Sequence, residues 1–393
     1  MKQDVKKPAI PFYGRAFLET FERAKKGTLA ITLPDGETRH YKGSEDGPIA
    51  DMTIHNWACV PQIAMRGDIG LGETYASGMW ESSDVSSFIA YCLQNINEME
   101  GYAHGGWLQR LGFVMYNTFL KANTKKGSAQ NIRAHYDVGN DFYKLWLDKT
   151  MTYSSALRAS PHEDLESAQK NKYQRILDKL GDAHKKILEI GCGWGGFAEQ
   201  AMRMGREVTG ITISKQQHDF AARRVGNNAN IQLLDYRNLK EKFDAIVSIE
   251  MFEAVGERYW PDYFRTLKNS LATHGRALVQ TIVIDDKLFD GYRQRSDYIR
   301  HYIFPGGMLP SLARFKEEAT KAGLIIKDIH AFGHDYAWTL RQWLTRFKNA
   351  ESEMYKMGYD QSFLRSWRFY MGMCIGAFDV GRTNVVQVEL AHA

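Results

Sequence analysis

The chain has few cysteines and no long hydrophobic run, and both shortages narrow what it can be. Its 393 residues include four scattered cysteines, Cys59, Cys92, Cys192 and Cys374, with no C-x-x-C pair and no zinc-ligand spacing. We therefore expect reduced thiols in a cytosolic protein, with neither a disulfide framework nor a metal site. No window approaches about 18 uninterrupted apolar residues, so no segment is expected to cross a bilayer. Any membrane contact would then be peripheral.

Other absences exclude further classes of protein. Residues 1–7 carry charge but no apolar segment follows them, so we expect no signal peptide. The glycine-rich stretch at residues 69–80 lacks a Lys-Ser/Thr pair and is therefore not a phosphate-binding loop. Internal repeats and low-complexity tracts are also absent. The net charge of +5 suits an anionic membrane surface or nucleic acid and is diagnostic of neither.

The pattern of apolar residues divides the chain in two. Residues 1–124 are typical of a small α+β domain and include an apolar stretch, Trp107–Leu120, that ends in lysines. That stretch is either an amphipathic helix lying on a bilayer or a helix packed between domains. A polar linker at residues 122–130 marks the boundary. In residues 125–393 strands alternate with helices, which predicts an α/β fold with a doubly wound, mostly parallel, Rossmann-like sheet.

A strand, a tight turn and a helix start follow one another at residues 187–200. The spacing fits G-x-G-x-x-G, which is shared by dinucleotide sites, through Gly191, Gly193 and Gly196. Two details favour S-adenosylmethionine instead. Glu189 precedes the first glycine by two residues, where it can take an amino group. The next strand ends near Thr212, where a dinucleotide site would place a carboxylate, and the sequence has none there.

Several strings surrounding this loop match one enzyme family, and those that begin at His135 and Tyr302 are specific to it. They are His135-Tyr-Asp-Val-Gly-Asn, Met151-Thr-Tyr-Ser154, Met251-Phe-Glu-Ala-Val-Gly256, Tyr302-Ile-Phe-Pro-Gly-Gly and Gly333-His-Asp-Tyr336. Across roughly residues 130–390 the chain resembles the cyclopropane-fatty-acid synthase and mycolic-acid cyclopropane synthase family of S-adenosylmethionine-dependent methyltransferases. The resemblance implies a class I methyltransferase domain over residues 125–393, with a lipid-pocket insertion around 285–310. It also implies, more loosely, a lipid-tethering role for residues 1–124.

The resemblance implies which residues hold S-adenosylmethionine. Glycines in the loop let its backbone approach the methionine portion, and the helix start behind them favours a carboxylate. By resemblance, Tyr153 and Ser154 lie over the methionine portion. Thr212, Ile213 and Gln217 hold the ribose, and Tyr236 and Arg237 flank the adenine. The expected set, in chain order, is Tyr153, Ser154, Glu189, Gly191, Gly193, Gly196, Thr212, Ile213, Gln217, Tyr236 and Arg237. For Gln217 the alternative is an exposed helix position.

The expected chemistry needs a site that stabilises a carbocation, and a base. Methylation of an alkene places a positive charge on carbon, so the site has to orient the methyl group, exclude water and stabilise the cation. Aromatic faces can stabilise a cation. The aromatic candidates are Tyr298, Tyr302, Phe304 and Tyr336. A base must then remove a proton from the new methyl group to close a ring.

In the family that base is thought to be a bicarbonate ion. The matching positions here are Ser155, Glu253, Gln280, Tyr336 and, through its backbone amide, Ile282. The chain departs from the family because Ser155 stands where cysteine is usual and Gln280 where histidine is usual. Serine and glutamine still donate hydrogen bonds, so an anion can bind.

A further departure is Glu250, which stands where some members of the family have glycine. A second carboxylate in the pocket would repel the anion or replace it as the base. The alternative is that Glu250 forms a structural ion pair with a cation such as Arg293.

The resulting hypothesis is an enzyme that converts the cis double bond of unsaturated phospholipid acyl chains into a cyclopropane. The first alternative gives a methyl- or methylene-branched chain from the same lipid, and the second is a small-molecule N-methyltransferase. We expect no nucleic-acid partner, peripheral contact with the inner face of the membrane, and a homodimer as is frequent in the family.

Overall fold

The structure, a computed structural model, describes residues 9–99 and 139–393. Its strands are β1 (Lys26–Thr32), β2 (Thr38–Lys42), β3 (Glu45–Ile54), β4 (Trp80–Glu81), β5 (Lys186–Ile190), β6 (Glu207–Thr212), β7 (Asn230–Leu233), β8 (Phe243–Ile249), β9 (Leu271–Ile284), β10 (Leu324–Ala331) and β11 (Thr383–His392). The predicted Trp107–Leu120 helix, the linker and the boundary at residue 124 lie outside the described residues.

The α-helices connect these strands and cover the sheets. They are α1 (Phe12–Phe21), α2 (Cys59–Arg66), α3 (Asp68–Ala76), α4 (Val85–Gln94), α5 (Asn140–Lys144), α6 (Leu165–Leu180), α7 (Gly196–Arg203), α8 (Lys215–Val225), α9 (Trp260–Ser270), α10 (Asp286–Arg293), α11 (Leu312–Lys321), α12 (Gly333–Asn349), α13 (Glu351–Lys356) and α14 (Gln361–Asp379). Within the described ranges, no helix is both long and apolar enough to cross a membrane.

The first compact unit combines the described residues up to 99 with Arg295–His301 and Glu351–Val380. Its sheet has the order β2-β1-β3-β4, in which only the β1–β3 pair is parallel. Helix α14 packs closely on α4 because Gly376 has no side chain. A Cβ atom there would lie 2.8 Å from the Ile89 side chain and 2.9 Å from the Ser86 carbonyl oxygen.

Two features of this unit differ from the sequence-based prediction. The glycine-rich stretch at 69–80, for which the sequence predicts no helix, forms α3. Its glycines serve close packing, because a Cβ at Gly72 would lie 2.3 Å from the ring of Tyr298. The segment 295–301, predicted as part of the catalytic domain, belongs to this unit because Tyr298 is buried in its core against Phe369. The segment 351–380 also belongs to this unit, because its Phe369 lies in the same core.

The second unit contains a seven-stranded sheet with the order β10-β11-β9-β8-β5-β6-β7. Strands β9, β8, β5, β6 and β7 run parallel to one another, and β11 is antiparallel to both of its neighbours, β9 and β10. This confirms the doubly wound, mostly parallel sheet. Strand β10 is absent from the prediction. The carboxyl ends of β5, β6, β7 and β8 share one edge, which is where such sheets bind ligands.

Local sequence explains how the elements at this edge begin and end. Strand β5 is a buried apolar run, and glycines end it at the edge of the sheet. Helix α6 begins at Asp164, whose carboxylate accepts a hydrogen bond from the Ser167 amide at 3.0 Å. Helix α8 begins in the same way at Ser214, whose hydroxyl oxygen accepts from the Gln217 amide at 3.4 Å. These caps fix where each helix meets the ligand edge.

Candidate active site

The loop after β5 is built from glycines for two different reasons. Gly191 has a φ of 80°, and a Cβ there would lie 2.8 Å from the Met251 side chain. Gly193 has a φ of 52° with no protein atom within 4 Å of a Cβ position, so open space faces it. Gly196 instead packs against protein, because its Cβ would lie 2.9 Å from the Tyr173 hydroxyl. Gly193 therefore suits approach to a ligand, whereas Gly196 serves packing of the helix start.

Glu189 lies beneath this loop and is almost completely buried. Burial raises the pKa of Glu189 well above its usual range, although Lys172, the Ala198 amide and Arg224 oppose the shift. Its Oε2 atom is buried and has no hydrogen-bond partner in the part of the chain that the structure describes. A buried polar atom in this situation fits an additional donor such as the amino group of S-adenosylmethionine.

The expected ribose-binding residues lie together at the end of β6. The Thr212 hydroxyl donates to Oε1 of Gln217 at 3.0 Å, and the Ser214 amide donates to the Thr212 hydroxyl at 3.2 Å. Gln217 is buried rather than exposed, so its alternative assignment as a surface position is wrong. Ile213 lies between them and is half-buried. The cluster presents polar groups at the ligand edge of the sheet.

Arg237 and Tyr236, expected to flank the adenine, form one unit with Asp235. The Arg237 guanidinium donates to Oδ1 of Asp235 at 2.9 Å and to Oδ2 at 2.6 Å. It also lies over the Tyr236 ring, 5.6 Å from its centroid. Paired charges and hydrogen bonds on both carboxylate oxygens hold these planar groups in place.

Tyr153 lies in a group of aromatic rings drawn from distant parts of the second unit. Its centroid is 5.3 Å from that of Trp343, 5.5 Å from that of Trp146 and 6.4 Å from that of Phe304. Trp146 and Trp343 are absent from the sequence-based set, because a tryptophan in an apolar helix pattern is usually core. Of the predicted aromatics, Phe304 joins this group, and Tyr336 lies 6.1 Å from Trp343.

Glu250 stands at the centre of the predicted base site. Its Oε1 atom accepts from the Ser155 amide at 2.9 Å and from Nε2 of Gln280 at 2.8 Å. Its Oε2 atom accepts from the Tyr336 hydroxyl at 2.6 Å. The backbone of Glu250 has a φ of 48°, a left-handed conformation that glycine adopts most easily. The carboxylate therefore occupies three of the positions that the resemblance assigns to a bicarbonate ion, those of Ser155, Gln280 and Tyr336.

Bicarbonate does not fit these donors while Glu250 is present. All three side-chain and backbone donors already bind one carboxylate, and a second anion beside it would be repelled. The Ser155 hydroxyl points elsewhere, since it donates to the Ala156 carbonyl oxygen at 2.9 Å. The donors that would hold bicarbonate therefore hold the carboxylate of Glu250 in this chain.

Glu253 is the second carboxyl group of the site. Its Oε1 atom accepts from the Ile282 backbone amide at 2.6 Å, so the amide that the resemblance assigns to the anion is bound to a carboxyl group instead. Burial and the neighbouring charge of Glu250 together raise the pKa of Glu253 to about 8. Two carboxyl groups that share one pocket rarely ionise together, and the three hydrogen bonds that Glu250 accepts favour the negative charge on Glu250 over Glu253.

Lys172 is a site residue that no sequence pattern indicates, because a lysine within a helix is usually exposed. Its side chain is fully buried, and Nζ donates to the Ser154 hydroxyl at 2.6 Å. Burial lowers the pKa of Lys172 to about 7, and Glu250 is the largest of the nearby charges that oppose this shift. Arg293, the suggested partner of Glu250, instead pairs with Glu257 at 2.8 Å, so that assignment is wrong.

Comparison with known proteins places this geometry in a family. The family described as mycolic acid cyclopropane synthetase matches residues 123–388. The chain is 32% identical over 377 residues to the tuberculostearic acid methyltransferase of Mycobacterium tuberculosis, covering 92% of this chain and 87% of that one. It is 34% identical over 347 residues to the cyclopropane-fatty-acyl-phospholipid synthase of Escherichia coli, covering 87% and 88%.

A solved structure gives the same result. The mycolic acid cyclopropane synthase complexed with S-adenosylhomocysteine superimposes with a TM-score of 0.63 at 28% identity, covering 69% of this chain and 99% of that chain. The chain therefore belongs to the mycolic acid cyclopropane synthetase family and has the fold of S-adenosylmethionine-dependent methyltransferases.

Proposed function

We propose that this protein methylates the cis double bond of an unsaturated acyl chain in a membrane phospholipid and closes a cyclopropane ring. The observation that carries the proposal is the half-buried carboxylate of Glu250, which accepts hydrogen bonds from three donors. Family membership supports lipid methylation, and the substrate class follows that of the Escherichia coli relative.

S-adenosylmethionine supplies an activated methyl group when it is bound. The π electrons of the double bond form the new carbon–carbon bond, S-adenosylhomocysteine leaves, and a positive charge remains on the second carbon. The rings around Tyr153, including Trp343 and Phe304, present faces that stabilise positive charge and exclude water.

Glu250 then acts as the base. The new methyl group is attached to the carbon next to the cationic one, and the positive charge acidifies its C–H bonds, so the base needs the right position and a negative charge more than high basicity. Burial raises the pKa of Glu250, but Lys172 and the three donors oppose the shift and favour the ionised form. The proton passes to Glu250, and the electrons of that C–H bond close the ring onto the cationic carbon.

The closest alternative is a branched product from the same lipid. It is favoured by the fixed position of Glu250, because a base tied to the protein selects one proton where a small ion has more freedom. Loss of a different proton leaves an alkene without a ring. Mass spectrometry of the lipid product before and after mild catalytic reduction decides. A cyclopropane takes up no hydrogen, and a product that gains two hydrogen atoms would refute ring closure.

The proposed substrate lies in a bilayer, so we also propose peripheral contact with a membrane. Sedimentation with vesicles of unsaturated anionic phospholipid tests this, with saturated vesicles as the control for turnover. Binding to both and methylation of only the unsaturated lipid are expected. No binding to either would contradict a phospholipid substrate and favour a small-molecule N-methyltransferase. Chemical cross-linking in the same samples tests the expected homodimer.

A further inference from the structure

Two buried glutamines lie side by side on neighbouring strands next to Glu250. Gln280 of β9 and Gln387 of β11 are directly opposite in the antiparallel register, and both are almost fully buried. Nε2 of Gln387 donates to Oε1 of Gln280 at 3.0 Å, and Nε2 of Gln280 donates to Glu250 at 2.8 Å. Arg175 of α6 donates through Nη1 to Oε1 of Gln387 at 2.5 Å. These hydrogen bonds form an amide row that runs from Arg175 through Gln387 and Gln280 to Glu250.

The row has only one possible direction. The oxygen and nitrogen ends of an amide have the same shape, so its partners decide which way it points. A guanidinium only donates hydrogen bonds, so Arg175 requires the carbonyl of Gln387. The amino group of Gln387 must then face Gln280, which accepts through its own carbonyl. The amino group of Gln280 is thereby left to face Glu250.

We propose that Arg175 and Gln387 are positioning residues, which orient the amide of Gln280 so that it donates to Glu250. This inference rests on the proposed role of Glu250 as the base. With the opposite orientation, the carbonyl of Gln280 would face the carboxylate of Glu250 and repel it. Such a site would hold Glu250 in its protonated form, which cannot accept a proton from the substrate.

A pair of glutamines that merely filled the sheet would not need this direction. Either orientation of both amides would satisfy the contact between them, and the cation at the outer end favours the one orientation that an ionised Glu250 requires at the inner end. The other groups that act on Glu250 are Lys172 of α6, Tyr336 of α12 and the neighbouring Glu253. Lys172 donates to Ser154, Tyr336 donates to Glu250 and Glu253 accepts from Ile282, so these hydrogen bonds act on the base without setting the orientation of Gln387.

Two matched substitutions test the direction of the row. Gln387→Glu keeps the size and the contact with Arg175, but its carboxylate accepts at both ends. Gln280 must then turn its amino group toward position 387 and its carbonyl toward Glu250. Arg175→Met removes the cation that sets the direction. Lys179→Met is its control. Lys179 lies one turn along the same helix, and both cations pair with Asp328, Arg175 at 3.3 Å and Lys179 at 2.7 Å.

The first measurement is the ionisation of Glu250 in the protein without substrate. Isotope-edited infrared spectroscopy reports the protonated carboxyl band, and the band that disappears in Glu250→Gln identifies this residue. We expect the pKa of Glu250 to rise by about one unit or more in Gln387→Glu, equal to a tenfold or larger change in its ionisation constant. Arg175→Met should shift it in the same direction, and Lys179→Met should leave it unchanged.

The second measurement is the dependence of methyl transfer on pH. In Gln387→Glu, turnover at neutral pH should fall about tenfold or more and recover at higher pH, because raised pH ionises Glu250 again. Circular dichroism confirms that each variant folds. If a folded Gln387→Glu variant keeps the wild-type infrared band, the inference is wrong even if Glu250 is the base. If the band shifts while turnover does not change, the amide row is real and the assignment of the base fails.

Discussion

Replacement of Glu250 by glycine gives the sharpest test of how this site works. The substitution removes the carboxylate but leaves the Ser155 amide, the Gln280 amide and the Tyr336 hydroxyl, whose hydrogen bonds to Glu250 are 2.6 to 2.9 Å long. Three donors that converge on an empty position form a site for a small anion. We expect Glu250→Gly to lose activity and to regain part of it when a basic anion is added.

The magnitudes follow from the conformation and the contacts of Glu250. Glycine relieves a left-handed backbone strain of about 1–2 kcal/mol. Each buried donor left without a partner costs about 1–3 kcal/mol, so the free energy of unfolding should fall by several kcal/mol. An anion at about 100 times its dissociation constant restores about 2.7 kcal/mol. Loss of a general base lowers turnover by about 10²–10⁴-fold.

The assay combines thermal unfolding with methyl transfer from labelled S-adenosylmethionine, each measured against added bicarbonate, formate or nitrate. Nitrate matches the planar shape and charge of bicarbonate but is an extremely weak base. We therefore expect all three anions to raise the melting temperature of Glu250→Gly, and only bicarbonate and formate to restore turnover. Glu250→Gln is the control variant, because its amide fills the position and leaves no room for an anion.

Two results would refute this reasoning. If no anion raises the melting temperature of Glu250→Gly, the three donors do not form an anion site once the carboxylate is gone. If nitrate restores turnover as well as bicarbonate does, the site needs a negative charge there and not a base. The proposed proton transfer to Glu250 would then be wrong, although the position of its carboxylate would stand.

Three further changes have definite expected outcomes. Lys172→Met removes a charge that favours ionised Glu250, so the acidic limb of the kcat/KM profile should move about one unit to higher pH; an unmoved limb would exclude this role. Because the pKa of Glu253 is about 8 when folded against an ordinary 4.5, the folded state retains a proton that the unfolded state releases. As the pH rises from about 4.5 to about 8, the free energy of unfolding should fall by up to about 1.4 kcal/mol per pH unit. Urea unfolding of Glu253→Gln should lack this slope. Gly191→Ala adds a Cβ 2.8 Å from the Met251 side chain at a φ of 80° and should cost about 1–3 kcal/mol in urea unfolding, with weaker S-adenosylmethionine binding by calorimetry; unchanged values would contradict the close approach.

The sheet of the second unit follows from sequence patterns because its signals are local. The apolar pattern predicts a helix at 215–225 and a strand at 243–249, and the structure has α8 (Lys215–Val225) and β8 (Phe243–Ile249) at those positions. Strand β10 is missed because it lies at the edge of the sheet and its sequence mixes polar and apolar residues, with only Leu324 buried. A half-exposed edge strand lacks the continuous apolar run that identifies a central one.

The features that sequence patterns do not give depend on contacts between distant residues. Helix α3 contains glycines that are poor helix formers, and its close packing around Tyr298 comes from a segment more than 200 residues away. Lys172 is indistinguishable from a surface lysine until Ser154 and Glu250 are placed beside it. The donor set of Glu250 is correctly grouped by resemblance, but its occupation by the glutamate itself depends on a backbone dihedral angle that no motif encodes.

The left-handed backbone at position 250 also has a genetic consequence. Every glutamate codon becomes a glycine codon through one nucleotide change, and glycine is the residue that this conformation accommodates with least strain. If Glu250 is the base as proposed, one mutational step exchanges a base built into the protein for an anion taken from the surroundings. The fitness of an organism that carries the glycine variant would then depend on the concentration of small anions in its cells as well as on the enzyme.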